Sequence, residues 1–250
     1  MPLAGCYVIS LRPVGAHASL RRAAAAQGAR VLALSPWRIE TQSDAATRRA
    51  LREALAADIV IATSPAAVRA ASALHALRKR HGQAWCAVGA GTAAALRRSG
   101  IDEVVSPSRM DSEGLLALPE LRSVRGREIG LLTAPGGRGL IAPTLRKRGA
   151  TVLRADVYRR AEVAISSVAL ARLRALPAKP WLALGSGEAL HLALTRLPAD
   201  LAAKLRSADV AAASERLAQA ARDAGFRGRV LVAPSARPRD LVAAMAGAIG

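Results

Sequence analysis

The chain has 250 residues, 52% of them hydrophobic, and this length is enough for two domains that each have their own core. No apolar run reaches the roughly 18 residues of a membrane-spanning helix, and the first residues lack the basic leader of a secretory signal, so we expect a cytoplasmic protein. The net charge of +19 favours an anionic small-molecule ligand, whereas 2% aromatic residues are too few for the stacking surfaces of a nucleic-acid-binding protein.

Short apolar runs alternate with amphipathic segments along the first half of the chain. Apolar runs of this length predict strands, and the segments between them predict helices that glycines end. This alternation requires a parallel sheet covered by helices on both faces, so the predicted fold class is doubly wound α/β. The predicted strands are 6–11, 30–34, 59–62 and 85–88, and the predicted helices are 17–27, 65–81 and 92–99.

The second half of the chain repeats the first. Glycine, aromatic and hydroxyl residues recur in the same order after 121 or 122 residues. We therefore predict a duplication that gives two similar doubly wound domains, each with a parallel sheet. The recurring pairs are Gly5 and Gly126, Gly28 and Gly149, Trp37 and Tyr158, Ser64 and Ser186, and Thr92 and Ser214.

Small and hydroxyl residues stand where predicted strands end and helices begin. Open α/β sheets bind ligands at this edge, and the unpaired N–H groups of a helix N-terminus attract anions. The same pattern is also typical of serines and threonines that only cap their helices. The positions are Thr63, Ser64, Gly89, Gly91, Thr92, Ser186, Gly187 and Ser214.

The spacing of histidines and cysteines predicts no metal site. The histidines are far apart, and each cysteine stands alone in an apolar run, without the intervals of metal ligands. Residues 185–187 differ from the G-x-S-x-G nucleophile elbow, which disfavours a serine hydrolase. The histidines and cysteines are His17, His75, His81, His191, Cys6 and Cys86.

A glycine-rich run keeps a second function open. Residues 137–142 read G-R-G-L-I-A, follow a strand predicted at 129–132 and precede Asp156, which is the order of a dinucleotide-binding turn. Pro135 and Pro143 disfavour the turn and the helix that such a site needs. A nucleotide-dependent oxidoreductase is therefore an alternative, and so is a non-catalytic two-domain ligand-binding protein.

Six short runs, in order and over nearly the whole chain, resemble the motifs of the uroporphyrinogen-III synthase family. The chain departs from the family pattern at Leu11 and Gly185, where threonine is usual, and at Ala66 or Ala67, where asparagine is usual. The similar runs are 11–13 (TRP in the family), 63–68 (TSxNAV), 87–93 (AVGxxTA), 112–116 (SEGLL), 157–160 (VYxR) and 214–218 (SExxA).

The resemblance implies a lyase of tetrapyrrole and heme synthesis that needs no cofactor or metal. Such an enzyme closes hydroxymethylbilane to uroporphyrinogen III with loss of water and inversion of ring D. The family's chain crosses twice between domains, which implies one domain of 1–36 with 162–250, another of 41–156, hinge segments at 36–40 and 157–161, and an active site in the interdomain cleft. We expect a monomer that binds neither nucleic acid nor membrane.

The resemblance also implies roles for particular residues. Tyr158 is the candidate proton donor to the leaving hydroxyl of the substrate, and its alternative role is a hinge aromatic that only packs. The polycarboxylate substrate fits the helix N-termini and the basic surface described above. The candidate substrate-binding residues are Arg12, Thr63, Ser64, Gly89, Thr92, Ser112, Ser186 and Ser214.

Overall fold

A computed structural model describes residues 1–136, 139–177 and 179–249. The chain forms two compact units, one made of Met1–Arg38 with Ala161–Gly250 and the other of Ile39–Arg160. Both have the mixed α/β architecture with parallel sheets that the sequence predicts. Among the described residues, no helix has the length and apolar character needed to cross a membrane.

Strands and helices alternate along the described chain. The strands are β1 (Tyr7–Ser10), β2 (Arg30–Ala33), β3 (Trp37–Thr41), β4 (Ile59–Ala62), β5 (Ala84–Ala87), β6 (Glu128–Thr133), β7 (Thr151–Asp156), β8 (Tyr158–Glu162), β9 (Trp181–Leu184), β10 (Asp209–Ala212) and β11 (Val230–Val232). The helices are α1 (Ala18–Ala25), α2 (Ala45–Ala56), α3 (Pro65–Leu74), α4 (Ala90–Arg98), α5 (Ser112–Leu116), α6 (Pro119–Arg122), α7 (Ile141–Lys147), α8 (Ser167–Arg174), α9 (Gly187–Arg196), α10 (Ala199–Arg206), α11 (Glu215–Asp223) and α12 (Pro238–Gly247).

The unit formed by both ends of the chain contains a five-stranded parallel sheet in the order β11-β10-β9-β1-β2. Successive strand residues point to opposite faces, and here Val8 belongs to one buried cluster and Ile9 to another. Both faces of the sheet are therefore covered by apolar side chains, as a parallel sheet requires.

The unit Ile39–Arg160 contains a four-stranded parallel sheet in the order β5-β4-β6-β7. All four residues of β4 are buried, and Val60 and Ile61 enter separate clusters on the two faces. Gly130, in β6, lies so close to α2 that a Cβ there would be 1.8 Å from the carbonyl oxygen of Ala54. The absence of a side chain at this glycine is what lets α2 approach the sheet.

Strands β3 and β8 form a separate two-stranded sheet, and they include the points at which the chain passes from one unit to the other. Inside the unit Ile39–Arg160, the amide of Gln42 donates to the Val157 carbonyl at 3.0 Å, and Arg159 forms an ion pair of 2.6 Å with Glu40. These contacts fix the two chain segments against each other within that unit.

The predicted helix 65–81 is too long, because the helix ends at Leu74. His75 adopts extended backbone with φ −155° and ψ 138°. The following segment is fixed by Gln83, whose amide oxygen accepts the Arg80 amide at 3.2 Å and the Trp85 indole N–H at 2.9 Å. The Gln83 amide nitrogen also donates to the carbonyls of Leu55 at 2.9 Å and Ala57 at 2.7 Å. Tertiary hydrogen bonds of this kind override a local preference for a longer helix.

The repeat pairing of Thr92 with Ser214 is also wrong. The N-cap of α4 is Gly89, and Thr92 is the third residue of that helix, whereas Ser214 is itself the N-cap of α11. By its position relative to the helix, Ser214 matches Gly89 and not Thr92. The interval differs because segment 197–208, which contains α10, is longer than segment 75–83, which occupies the same place in the other unit.

Candidate functional site

A cleft of about 210 Å³ opens at the carboxyl ends of β4 and β6, and all its lining residues belong to the unit Ile39–Arg160. The order in which successive strands are added to the sheet reverses here, because β5 lies on one side of β4 and β6 lies on the other. Such a reversal is a topological switch point. Open α/β sheets bind ligands at such a switch point. Four residues singled out from the sequence line it together: Thr63, Ser64, Ser112 and Tyr158.

Ser64 connects the start of α3 to the Tyr158 hydroxyl. It is the N-cap of α3, with extended backbone, and its Oγ accepts the amide of Ala67 at 3.1 Å, while Pro65 opens the helix. The same Oγ lies 3.1 Å from the hydroxyl of Tyr158. The cap interpretation of Ser64 is therefore correct, and it is compatible with a role in the cleft.

Two threonines join the ends of β4 and β6. The Thr63 hydroxyl donates to the carbonyl of Leu132 at 3.2 Å and lies 3.1 Å from Oγ1 of Thr133. Thr133 also lines the cleft, but the sequence does not predict it as a site residue. Its neighbours in sequence do not show that β6 pairs with β4 and so places it next to Thr63. The pair places two hydroxyl groups on one wall of the cleft.

Two arginines, Arg154 and Arg160, are among the residues that line the cleft. Nε and Nη2 of Arg154 donate to both carboxylate oxygens of Asp156 at 2.9–3.1 Å, and Nη2 also donates to the carbonyl of Ala134 at 3.0 Å. Asp156 is the acidic residue of the dinucleotide alternative, and here its carboxylate is bound to an arginine. Residues 137 and 138 of that motif lie outside the described residues.

Gly89 and Thr92 belong to α4 and do not line this cleft. Gly89 is the N-cap without a side-chain cap, and the amide of Ala90 donates to Sδ of Met110 at 3.5 Å. A Cβ on Gly89 would lie 3.0 Å from Cβ of Met110. Thr92 is 4% exposed, and its amide donates to the carbonyl of Gly89 at 3.0 Å.

Three further candidate residues lie in the other unit: Arg12, Ser186 and Ser214. The strand order of the sheet in that unit reverses between β1 and β9, which is its topological switch point. Arg12 follows β1, and its Nε donates to the carbonyl of Ala16 at 2.9 Å. Ser186 follows β9 and caps α9, because its Oγ accepts the amide of Ala189 at 3.2 Å. Arg12 and Ser186 therefore stand at the two strands that flank the switch point of that sheet.

His17 is a buried polar residue that the sequence did not single out for this role. It is 4% exposed, with Nδ1 2.9 Å from Oγ of Ser10 and Nε2 2.8 Å from Oγ of Ser35. Trp37 donates its indole N–H to the Leu11 carbonyl at 3.1 Å. These contacts hold the loop after β1, which carries Arg12. The serines are separated from His17 in sequence, so no local pattern reveals the contact.

We expect His17 to make the fold sensitive to acid. Burial, followed by the charges of Arg21 and Arg12, lowers the pKa of His17. The unfolded chain takes up a proton near the ordinary pKa of about 6.5, while the folded chain does not. The free energy of unfolding should therefore fall as pH falls from about 7 towards the lowered pKa, and below that pKa the loss should level off.

Urea unfolding of the parent and of His17→Asn at about pH 7 and pH 5 checks this expectation. Asparagine keeps a donor and an acceptor but does not titrate in this range. The free energy of unfolding should fall less in the variant than in the parent. Equal losses in both proteins would show that other groups cause the acid sensitivity.

No group of three His, Cys, Asp or Glu side chains suited to hold a metal ion occurs within the described residues. Cys6 and Cys86 are free thiols. Burial, and to a smaller extent the charge of Glu120, raise the pKa of Cys86 to about 12. This thiol therefore stays protonated near neutral pH and is a poor nucleophile.

A family model described as uroporphyrinogen-III synthase HemD matches residues 18–243 of the chain. The uroporphyrinogen-III synthase of Salmonella typhimurium is 40% identical over 110 residues, which are 41% of this chain and 44% of that protein. The Escherichia coli enzyme of the same name is 32% identical over 145 residues, 57% of this chain and 59% of that protein. The chain thus spans about half the length of the relatives it matches. None of these matches favours an oxidoreductase or a non-catalytic binding protein.

Solved structures give the same fold. A mutant uroporphyrinogen III synthase from Thermus thermophilus superposes with a TM-score of 0.60 at 20% identity, covering 97% of this chain and 96% of that one. The uroporphyrinogen-III synthetase of Helicobacter pylori gives a TM-score of 0.61 at 12% identity, covering 98% and 99%. At these identities the likeness establishes a mixed α/β fold with parallel sheets.

Proposed function

Because the chain belongs to the uroporphyrinogen-III synthase family, we propose that it closes linear hydroxymethylbilane to uroporphyrinogen III, with loss of water and inversion of ring D. The match of the family model to residues 18–243 carries this proposal. The cleft at the switch point of the four-stranded sheet supports it, since hydroxyl and guanidinium groups converge there. Such groups suit a substrate with several carboxylates.

The proposed reaction needs a proton and a fixed geometry. Loss of the terminal hydroxyl as water leaves an azafulvene, which the substituted carbon of ring D attacks before rearrangement through a spiro intermediate. We propose Tyr158 as the proton donor, because this residue lines the cleft and its hydroxyl lies 3.1 Å from Oγ of Ser64. Holding the chain so that the rearranged closure is faster than the direct one is the rest of the catalytic task.

The proposed substrate contacts come from both units. Thr63, Ser64 and Ser112 line the described cleft with Arg154 and Arg160, which extend the set predicted from the sequence. Arg12, Ser186 and Ser214 are proposed for the other unit, and Gly89 and Thr92 for the start of α4. A duplication, a hinge at 36–40 and 157–161, and a monomeric state are further parts of the proposal.

Incubation of the protein with hydroxymethylbilane, followed by oxidation and separation of the uroporphyrin isomers, tests the proposed function. We expect isomer III to exceed the buffer control, in which unrearranged closure gives isomer I. The heat-denatured protein serves as a second control. Isomer I alone, at the rate of the buffer, would refute the proposed function.

We expect the specificity constant to fall with ionic strength. The chain has a net charge of +19, and the proposed substrate is a polyanion, so long-range attraction should raise the rate of encounter. Salt screens this attraction over about 10 Å at 0.1 M. Between about 0.02 M and 0.3 M NaCl, kcat/KM should fall by about threefold or more while kcat changes little. Potassium acetate should have the same effect at equal ionic strength, and an unchanged kcat/KM would argue against electrostatic steering.

A further inference from the structure

The Tyr158 hydroxyl is joined to the N-terminus of α3 through one side chain. Tyr158 is 5% exposed as a whole residue and belongs to the core of the unit Ile39–Arg160. In the described part of the chain, the hydroxyl has one hydrogen-bond partner, Oγ of Ser64 at 3.1 Å. Because either oxygen can donate in this contact, the direction of the hydrogen bond decides which proton faces the cleft.

The other contact of Ser64 favours one direction. Its Oγ already accepts the N–H of Ala67 at 3.1 Å, in the first turn of the ten-residue helix α3. An oxygen that accepts a hydrogen bond becomes a stronger donor and a weaker second acceptor. The positive end of the helix dipole acts in the same sense, because it withdraws electron density from Oγ. Ser64 is therefore the better donor, and the Tyr158 oxygen is the better acceptor.

We infer that Ser64 is a positioning residue, which donates to the Tyr158 oxygen and so directs the Tyr158 proton into the cleft, towards the hydroxyl that leaves the substrate. The inference rests on the proposed function and gives Ser64 a role different from carboxylate binding. The chain of donors runs from the Ala67 amide through Ser64 to Tyr158.

The proton balance of the step is closed. Tyr158 transfers its proton to the departing oxygen as the C–O bond breaks with its electron pair, so that the hydroxyl leaves as water and the azafulvene is formed as its N-protonated cation. The phenolate that remains keeps the hydrogen bond from Ser64 and faces the positive end of α3. The proton returns to Tyr158 when closure of the macrocycle releases one from a pyrrole carbon. No oxidant, reductant or further reactant is required.

The direction of the hydrogen bond can be measured without substrate. The sequence contains two tyrosines, Tyr7 and Tyr158, so Tyr7→Phe leaves one tyrosine signal. Tyr7 lies in β1, in the other unit, and is suited to serve as the background. The intensity ratio of the tyrosine Fermi doublet in the Raman spectrum distinguishes a hydroxyl that accepts hydrogen bonds from one that donates to a strong acceptor.

Three substitutions at Ser64 separate the functions of its hydroxyl. Ser64→Thr keeps both the cap and the donor, whereas Ser64→Asp keeps a good cap but only accepts hydrogen bonds. Ser64→Ala removes both. In the Tyr7→Phe protein, with Ser64 or with Ser64→Thr, the intensity ratio should be that of a Tyr158 hydroxyl that accepts a hydrogen bond. Ser64→Asp in the same protein should shift the ratio to that of a hydroxyl that donates one. A donating Tyr158 in the parent background, or no change in Ser64→Asp, would overturn the inference.

Kinetics give the second readout. Ser64→Ala, which adds no charge to the cleft, should lower kcat on the order of tenfold or more with KM changed by about twofold at most, and Ser64→Thr should keep the kcat of the parent. If Ser64 only binds a carboxylate, KM rises and kcat is kept, which would also overturn the inference. If the parent forms isomer III but its Tyr158 hydroxyl donates to Ser64, the positioning role of Ser64 is refuted and the proposed function is not. A parent that forms only isomer I refutes the proposed function, whatever the Raman result.

Discussion

Tyr158→Phe is expected to lower kcat at least about tenfold while the melting temperature stays within about 4 °C of the parent. A general acid contributes about 10² to 10⁴ in rate, and phenylalanine removes that proton. The aromatic ring of this buried residue is kept. Only the hydrogen bond to Ser64 is lost, and a bond of this kind contributes about 1 kcal/mol to stability.

Tyr158→Ala is the matched comparison, because it removes the ring as well. Loss of a buried aromatic ring destabilises a core by about 3–5 kcal/mol. If Tyr158 only packs, the phenylalanine variant should be fully active and the alanine variant unstable. Measurements of kcat, the isomer ratio and the melting temperature for both variants separate the two roles. Full activity of Tyr158→Phe would remove Tyr158 from the mechanism.

Gly130→Ala is expected to destabilise the unit Ile39–Arg160 by about 3 kcal/mol or more. The new Cβ would lie 1.8 Å from the Ala54 carbonyl oxygen and 2.6 Å from its carbon, and both atoms belong to helix backbone. Strand β6 lies between β4 and β7, so it cannot move away without breaking a ladder of hydrogen bonds. Either the helix or the sheet has to shift.

Gly185→Ala is the control for this substitution. A Cβ at Gly185 would meet no atom within 4 Å, and the backbone there does not adopt a positive φ. Its free energy of unfolding should stay within about 0.5 kcal/mol of the parent. Urea unfolding followed by circular dichroism measures both variants. A Gly130→Ala variant as stable as Gly185→Ala would mean that α2 can withdraw from the sheet at little energetic expense.

The parts of the fold that depend on local sequence were predictable. Strand 59–62 has the predicted limits, because four apolar residues in a row are bounded by Asp58 and by Thr63. Ser64 and Pro65 mark the start of α3 as expected, since their side chains act on the backbone next to them. The match of six short motifs identified the family, and the family model confirms it.

The parts that depend on distant contacts were not predictable. The segment after α3 is held by Gln83, whose amide nitrogen donates to the distant carbonyls of Leu55 and Ala57. The environment of His17 depends on Ser10 in β1 and on Ser35, which follows β2. Thr133 enters the cleft only because β6 pairs with β4 across about seventy residues of chain. A single sequence gives residue types and spacing, but it does not give which strand edges meet.

The discontinuity of one unit affects how the protein matures during synthesis. Strand β1 pairs with β2 on one side and with β9 on the other, so the first strand of the chain waits for residues 181–184 before its sheet can close. The unit Ile39–Arg160 is continuous and can fold while the ribosome is still translating. At about 5–20 residues per second, synthesis of the roughly 150 residues from β2 to β9 takes about 7 to 30 s. During that time the backbone groups of β1 on the side of β9 lack their partner strand, and an unpaired strand edge is a template for unwanted pairing.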